Sequence, residues 1–179
     1  MTLGGIYDIA ASLVYGDVAA SPPPVAEVPK LQAFILERHR NVQTGYNYWF
    51  SRRKVTLQAA EGDETVALPD DFKELVSTNL KVPAYCGGAA FVFDKPLQED
   101  TEFTADYYSY IPTPEWDETH ADVVTGVLNW ALIYGAVSDV FLSRSSTQEA
   151  NFYAAKSKEA EFKAEQEDYH RRQAPREIL

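Results

Sequence analysis

The sequence predicts an α+β protein that is mainly α, a helical bundle with a small β-hairpin and strand-rich insertion. Apolar residues recur at helical spacing towards both ends of the chain, whereas polar and apolar residues alternate in its middle. Prolines and turn residues separate these segments. The chain has 179 residues, of which 45% are hydrophobic and 13% aromatic, and this composition suits a single domain with its own core.

The N-terminal part predicts two helices. The first covers about residues 6–18 and is ended by the prolines at 22–24, which lack the backbone donor that a helix needs. A second helix is expected over about residues 29–48, because Pro29 suits a first-turn position. Its apolar positions form one stripe at steps of three, four and seven: Val28, Leu31, Phe34, Ile35, Val42 and Trp49.

The middle of the chain, about residues 50–111, predicts a β insertion between helices. Period-two alternation over residues 54–68, interrupted by a turn at Gly62, predicts a hairpin. Further strands are expected at residues 90–93 and along the alternating segment 103–111.

A short helical turn is expected directly after the hairpin. Pro69 ends the second strand, and the carboxylate of Asp70 or Asp71 suits a helix cap. The turn would run through Phe72 and Leu75.

Two long helices are predicted to close the domain, over about residues 119–143 and 147–172, with a tail at 173–179. Each helix begins with a capping-box pattern, at Thr119–Asp122 and Ser146–Glu149. The first of them is apolar around much of its circumference, so we expect it to be buried on more than one side. Its main stripe contains Val123, Val127, Trp130, Tyr134, Val137 and Phe141.

The last predicted helix has few core residues. Its apolar seam contains Phe152, Ala155, Phe162 and Tyr169, and most positions between them are Lys, Glu or Gln. One narrow seam stabilises a long helix only when it packs on a neighbour. We therefore expect this seam to face the preceding helix.

Acidic residues are concentrated in the second half of the chain. The formal net charge is −11, of which −2 falls on residues 1–90 and −9 on residues 91–179. Residues 94–122 hold nine acids against Lys95 alone. A solvated face is the ordinary explanation of such a run, and a field that repels a polyanion is the functional one. The acids are Asp94, Glu99, Asp100, Glu102, Asp106, Glu115, Asp117, Glu118 and Asp122.

Several protein classes are excluded by composition. The negative charge disfavours a protein that wraps nucleic acid, because phosphates are held by clustered Lys and Arg. Cys86 is the only cysteine, so an intrachain disulfide framework is excluded. The N-terminus has no basic region ahead of an apolar run, and no stretch of about 18 apolar residues occurs, so we expect neither a signal peptide nor a membrane span.

No pattern in the sequence predicts catalysis or a cofactor. His39, His120 and His170 are far apart and lack metal-ligand spacing, so no metal site is expected. Cys86 lies beside Gly87-Gly88, but it has no thiol-enzyme signature, and a small buried cysteine is the commoner case. We therefore expect a protein that is not an enzyme.

A short basic cluster, Arg52-Arg53-Lys54, follows the aromatic residues Tyr46, Tyr48, Trp49 and Phe50. Aromatics interleaved with cations hold nucleic acid in some proteins. Three cations on a chain of net charge −11 make that a weak case, and core aromatics with a solvated or subunit-facing basic edge are favoured.

One ordered set of motifs resembles a known family. Tyr46-Asn47-Tyr48-Trp49-Phe50 is followed by the strand Lys54-Val55-Thr56-Leu57, a turn with glycine, and Val66-Ala67-Leu68-Pro69-Asp70-Asp71-Phe72. This order resembles the head-to-tail adaptor (connector, head-completion) proteins of tailed bacteriophages. The residues that carry the resemblance are Trp49, Phe50, Leu68, Pro69, Asp71 and Phe72.

The resemblance implies a structural virion protein of the neck, assembled in the host cytoplasm. Such proteins form a ring of about a dozen copies below the portal protein, extend the DNA channel and receive tail or stopper proteins. DNA would pass through the ring without specific binding, and no membrane or cofactor is implied. A ring needs two different faces on each subunit, and the broad apolar surface of the 119–143 helix would supply one.

Two surfaces are candidates for these roles. Acids among Asp94, Glu99, Asp100, Glu102, Asp106, Glu115, Asp117 and Glu118 would face the channel or a basic partner. The tail residues Arg171, Arg172, Arg176, Ile178 and Leu179 combine charge with terminal apolar groups, which suits a segment that orders on the portal. An inert, frayed terminus is the alternative for the tail.

Two other functions stay open at this point. A non-viral helical protein-interaction module would show the same helices and strands. A phage cell-wall hydrolase would require a carboxylate in a cleft, for which Glu74 and Glu115 are the available guesses.

Overall fold

The computed structural model describes residues 1–42, 44–120 and 126–173. They form a mixed α+β fold with two compact units. The helical unit contains Met1–Tyr46 and Pro112–Leu179, and the β unit contains Asn47–Ile111. The α+β class predicted from the sequence is confirmed at this level.

The described residues of the helical unit form four α-helices. They are α1 (Leu3–Tyr15), α2 (Val28–Asn41), α3 (Gly126–Ser143) and α4 (Thr147–Gln173). The predicted start of the last helix at Ser146–Glu149 is confirmed. The predicted start of the third helix at Thr119–Asp122 falls partly on residues 121–125, which lie outside the described part of the chain.

The second helix is shorter than the sequence pattern predicts. It ends at Asn41, and the chain turns at once, with the Thr44 amide bonded to the Asn41 carbonyl at 3.1 Å. Leu31 and Ile35 are buried as predicted, but Trp49 is 53% exposed and belongs to a separate 3₁₀ helix, Trp49–Ser51. The predicted apolar stripe therefore extends beyond the end of α2, because apolar spacing alone does not indicate where a turn ends a helix.

Helix α3 is the most buried helix of the unit and contacts α1, α2 and α4. Its described side chains are buried around most of the circumference, which confirms the prediction of burial on more than one side. The predicted stripe itself is wrong in part, because Trp130 is 40% exposed and Tyr134 and Phe141 are only partly buried. The buried apolar set is Leu128, Ala131, Leu132, Ile133, Ala136, Val137 and Val140. Val123 and Val124 lie outside the described residues, and the side chain of Val127 is not described.

Helices α3 and α4 are joined by two buried serine hydroxyls. Ser138 of α3 donates to the Ala150 carbonyl of α4 at 2.8 Å, and Ser157 of α4 donates to the Ala131 carbonyl of α3 at 2.9 Å. Both hydroxyls are buried, so their hydrogen bonds offset the cost of removing them from water.

The predicted core seam of α4 is wrong. The face of α4 that is buried carries small residues, namely Ala150, Ser157, Ala160 and Ala164. Phe152, Phe162 and Tyr169 are 55%, 58% and 55% exposed, and Ala155 is exposed as well. Hydrophobicity alone favours burial of the aromatic residues, whereas the close approach of α4 to α3 requires small side chains.

The first turn of α1 contacts the segment before α3. The Leu3 and Gly4 amides donate to the carbonyls of His120 and Glu118, each at 3.0 Å. A Cβ on Gly4 would lie 2.8 Å from the Glu118 carbonyl oxygen, so only glycine allows this approach. Free amides at the start of a helix need such partners.

The β unit contains two antiparallel sheets. One has the strand order β1 (Arg52–Ala59), β6 (Thr101–Ser109), β3 (Phe72–Thr78). The other has the order β2 (Thr65–Ala67), β5 (Ala90–Phe93), β4 (Ala84–Gly87). The strands predicted at 90–93 and 103–111 are confirmed as β5 and β6.

The predicted 54–68 hairpin and the short helical turn after it are both wrong. Strand β1 pairs with β6, Leu57 opposite Phe103, and β2 pairs with β5, so the two halves of the predicted hairpin enter different sheets. The Phe72–Leu75 segment is part of strand β3. Local alternation identified strands, but long-range pairing decided their partners.

The core of the β unit is aromatic and joins the two sheets. Phe103 of β6 meets Phe91 and Phe93 of β5 edge to face, with ring centroids 5.5 and 6.5 Å apart. Such arrangements bring the positive ring edge to the negative ring face. Leu68 and Leu97 complete the buried cluster.

An ion pair links α2 to α3. Arg38 of α2 donates from Nε to Asp139 Oδ2 at 2.7 Å and from Nη2 to Asp139 Oδ1. This bonding raises the pKa of Arg38. A Cβ on Gly135 would lie 2.8 Å from Arg38 Cδ, so the glycine makes room for the arginine stem.

We expect Asp139→Asn to lower the free energy of unfolding by about 2 kcal/mol, because a two-point, charge-assisted contact is lost at a largely shielded site. Chemical denaturation measures this change. Glu159→Gln is the matched control, since it breaks a contact to Lys163 at side chains about 60% exposed. Equal effects of the two variants would contradict the structural role of the Arg38 contact.

Candidate functional site

The motif residues that carry the family resemblance gather at one end of strand β6. Leu68 is buried, and the Phe72 amide bonds to the Pro69 carbonyl at 2.9 Å. The Phe72 ring stacks on Tyr107 with centroids 5.6 Å apart, and the Tyr107 hydroxyl donates to Asp71 Oδ1 at 2.9 Å. The Leu-Pro-x-Asp-Phe segment is therefore fixed against β6 by an apolar contact and a polar one.

Burial and the Asp71 carboxylate together raise the pKa of Tyr107 to about 12. Burial is the larger cause, because it disfavours the charged phenolate. The hydrogen bond adds to it, since an ionised tyrosine has no proton to donate to Asp71. The motif is thus held together by a tyrosine that stays neutral throughout the ordinary pH range.

The first half of the motif lies at the start of the β unit. Phe50 stacks on Tyr48 with centroids 5.2 Å apart, and the neighbouring Trp49 remains 53% exposed. Buried Ser51 connects this turn to β6, because its carbonyl accepts from Ser109 Oγ at 2.9 Å. Both halves of the motif are therefore fastened to the same strand, β6.

The candidate acids are divided between the two units. Asp94, Glu99, Asp100, Glu102 and Asp106 belong to the β unit, whereas Glu115, Asp117 and Glu118 belong to the helical unit. Asp122 lies outside the described residues. A single continuous run in the sequence is therefore divided between two compact units.

Asp106 has a structural partner. It accepts from Arg52 Nη2 at 2.7 Å, and this hydrogen bond lowers the pKa of its carboxyl. Arg53 likewise donates to the backbone carbonyls of Phe50 and Arg52, at 2.9 and 3.1 Å. Two cations of the basic cluster thus have contacts within the β unit, which agrees with the preference for a structural edge over a nucleic-acid site.

A shallow acidic groove of about 540 Å³ lies at the far end of β1 and β6. Asp63, Asp100 and Glu102 supply its carboxylates. Each of them accepts a hydrogen bond: from the Ala60 amide at 2.8 Å, from the Glu61 amide at 2.9 Å, and from Gln58 Nε2 at 3.0 Å. These bonds fix the positions of the three carboxylates, all of which belong to exposed residues.

Asp94 and Glu99 lie on exposed turns of the β unit. In the helical unit, Glu115 and Glu118 are exposed, and Asp117 accepts from the amide and hydroxyl of Thr119. The hydrogen bond from the Thr119 amide is the larger cause of the lowered pKa of the Asp117 carboxyl. The exposed acids of both units are accessible to a partner.

The C-terminal arginines are placed differently from one another. Arg172 donates to Asp168 at 2.8 Å and lies 5.6 Å from the Tyr46 ring centroid, so it is fastened to the helical unit. Arg171 is exposed on α4. Arg176, Ile178 and Leu179 lie outside the described residues.

Other chemically distinctive residues form no site in the described part of the chain. Cys86 is exposed, so the expectation of a buried cysteine is wrong; it lies in β4, a strand with few inward positions. His39 is buried in α2, whereas His170 is exposed. The described residues contain no cluster of three or more His, Cys, Asp or Glu that would hold a metal ion.

None of the helices in the described ranges is both long and apolar enough to cross a membrane. No protein-family model matches the chain, and no curated protein sequence matches it.

The sequence pattern places one candidate surface in the core, whereas the structure exposes it. Phe152, Phe162 and Tyr169 form an exposed row on α4, which we call the aromatic seam. The available indication in the sequence is that small and aromatic residues lie on different faces of α4. Only one of these faces can pack against α3.

We expect Tyr107→Phe to cost about 1 kcal/mol of unfolding free energy at neutral pH, because the hydrogen bond to Asp71 is lost. The wild type should also lose stability between pH 10 and 12. In that window the unfolded chain releases the phenolic proton and the folded chain, with its raised pKa, retains it. Urea titrations across this range measure both effects.

Tyr85→Phe is the control, because Tyr85 is 59% exposed in β4. It should leave the neutral-pH stability and the alkaline loss as in the wild type. An alkaline loss in Tyr107→Phe as large as in the wild type would show that Tyr107 is not its source.

Proposed function

We propose that this protein is a structural component of a tailed-phage neck, forming a ring below the portal that joins head to tail and continues the DNA channel. The ordered motif from Trp49-Phe50 to Leu68-Pro69-x-Asp71-Phe72 carries the proposal. Its support is that both halves are fastened to one strand, through Ser51 and Tyr107. An arrangement of this kind makes the motif one structural element.

The helices supply the second line of support. The four helices contact one another around buried α3, and we propose that they act as the bundle from which a ring subunit is built. Broad burial of α3 leaves the outer helices to face neighbouring copies. A ring requires two different faces per subunit, and helices α1, α2 and α4 each present a separate outer surface.

The acidic groups support the channel part of the proposal. DNA that slides through a ring has to pass without adhering, and fixed negative charge repels its phosphates. Asp94 and Glu99 are exposed, and the groove acids Asp100 and Glu102 are exposed and held by hydrogen bonds. The β unit is therefore the proposed source of channel-facing charge.

The C-terminal segment is the proposed portal contact. Helix α4 ends in exposed Arg171 and anchored Arg172, so the chain beyond them starts from a fixed point. Ile178 and Leu179 supply apolar groups at the end of that segment. A short charged and apolar peptide suits docking into a partner groove.

We expect electron microscopy of the purified chain mixed with a portal to show a ring of about a dozen subunits on one portal face, the copy number that the family resemblance implies. A variant lacking residues 171–179 should bind the portal weakly, because the docking segment is removed. The Arg171→Ala substitution is a milder companion variant. Absence of any added ring on the portal would overturn the proposal, and full binding by the truncated chain would remove the docking role of the tail.

We expect Glu99→Gln combined with Glu102→Gln to slow DNA passage, because phosphates would meet less repulsion. Phage particles assembled with the variant should eject DNA more slowly or have a lower titre, with a normal amount of neck protein. Asp8→Asn combined with Glu37→Gln, at exposed positions of α1 and α2, is the charge-matched control. Equal titre and ejection rate for all three proteins would contradict a channel role for these acids.

A further inference from the structure

Helix α4 has its small residues inside and its large aromatic residues outside. The buried positions Ala150, Ser157 and Ala164 and the exposed positions Phe162 and Tyr169 lie on nearly opposite sides of a helix that turns about 100° per residue. With exposed Ala155 included, the row has steps of three, seven and seven residues from Phe152 to Tyr169, a spacing typical of a helix that packs against another helix. The aromatic seam is therefore a second packing face on α4.

The aromatic seam is long enough for a specific contact. From Phe152 to Tyr169 it extends about 26 Å along the helix. Three aromatic side chains, each more than half exposed, leave roughly 300 Å² of apolar surface accessible. This area is at the lower end of the largest apolar patches on soluble monomers, which are often functional.

Further apolar groups extend the seam towards α3. Trp130 is 40% exposed and stacks on Tyr134, which stacks in turn on Tyr153 beside Phe152. A groove of about 250 Å³ lies next to them, lined by Trp130, Tyr134, Lys156, Glu159, Ala160 and Lys163. The seam therefore has an adjoining cavity large enough to accept an aromatic side chain.

The charge around the aromatic seam indicates which protein would bind there. Residues 151–172 contain five Lys or Arg and five Asp or Glu, so this segment is neutral, whereas the whole chain carries −11. Two copies of an acidic protein repel each other over most of their surface, and they repel least where the charge cancels. Both Lys and Glu occur beside the seam, so each copy offers both partners of an ion pair.

We propose that the aromatic seam of α4 is a contact between copies of this chain. The inference rests on the ring proposal in one respect: it names a surface through which neighbouring subunits meet. Aromatic burial supplies the attraction, and the neutral flanks remove the electrostatic obstacle. The contact is a property of the chain alone and requires no portal.

Sedimentation of the purified full-length chain tests this inference. Over about a hundredfold range of concentration, the average mass of the wild type should rise, because association follows mass action. Phe162→Ser should weaken the association at least tenfold, as expected for an aromatic residue at the centre of an interface. Its melting temperature should match the wild type, since Phe162 is 58% exposed.

Tyr85→Ser is the matched control, because Tyr85 is an aromatic residue of equal exposure, 59%, in the β unit. It should associate like the wild type. Added salt should strengthen association of the wild type by screening the repulsion between acidic copies. Loss of association in high salt would contradict an apolar contact.

A wild type that stays monomeric at every concentration would overturn the inference, and so would a seam that accepts only a different protein. Equal association of Phe162→Ser and wild type would overturn it as well. Portal binding is measured separately from self-association. A chain that self-associates but adds no ring to the portal would refute the ring proposal alone, and a portal-bound ring formed equally by Phe162→Ser would refute the seam contact alone.

Discussion

The paired serine bonds between α3 and α4 determine what the helical unit presents to solvent. Ser138 and Ser157 each reach the backbone of the opposite helix, so the two helices approach closely along a face of alanines. This contact fixes the rotation of α4 about its own axis. Once small residues are turned inwards, the geometry of the helix turns Phe162 and its neighbours outwards. The exposed aromatic row is thus a consequence of the packing between two backbones.

Strand β6 has the corresponding role in the β unit. It is the central strand of one sheet, its Phe103 packs against the other sheet, and its Tyr107 and Ser109 hold the two halves of the motif. Its outer face carries acids that are paired or bonded to neighbours, such as Asp106 with Arg52. The aromatic core, the motif and the surface acids of the β unit therefore all depend on strand β6, because its side chains alternate between a buried face and an outer face.

The sequence predicted elements better than it predicted their partners. Strands β5 and β6 and the start of α4 followed from local patterns, because alternation and capping act over a few residues. The false hairpin at 54–68 arose because β1 and β2 alternate correctly but pair with strands more than twenty residues away. Hydrophobicity favours burial of the aromatic seam, because Phe162 is more apolar than Ala160. The close contact between α3 and α4 instead buries the smaller residue. The order of the motif residues is visible in the sequence, whereas the attachment of both halves to strand β6, through Ser109 and Tyr107, depends on the long-range register.

The antiparallel pairing of β1 with β6 has a consequence for how such a chain arises and changes. Arg52 lies opposite Tyr108, so the two ends of the β unit are side by side although more than fifty residues separate them. A segment with adjacent ends can be inserted into a loop of an existing fold, or removed from it, with little loss of chain entropy in the host. Because its two ends are adjacent, the β unit could be gained, lost or exchanged as a whole during evolution, while the helices evolve under separate constraints.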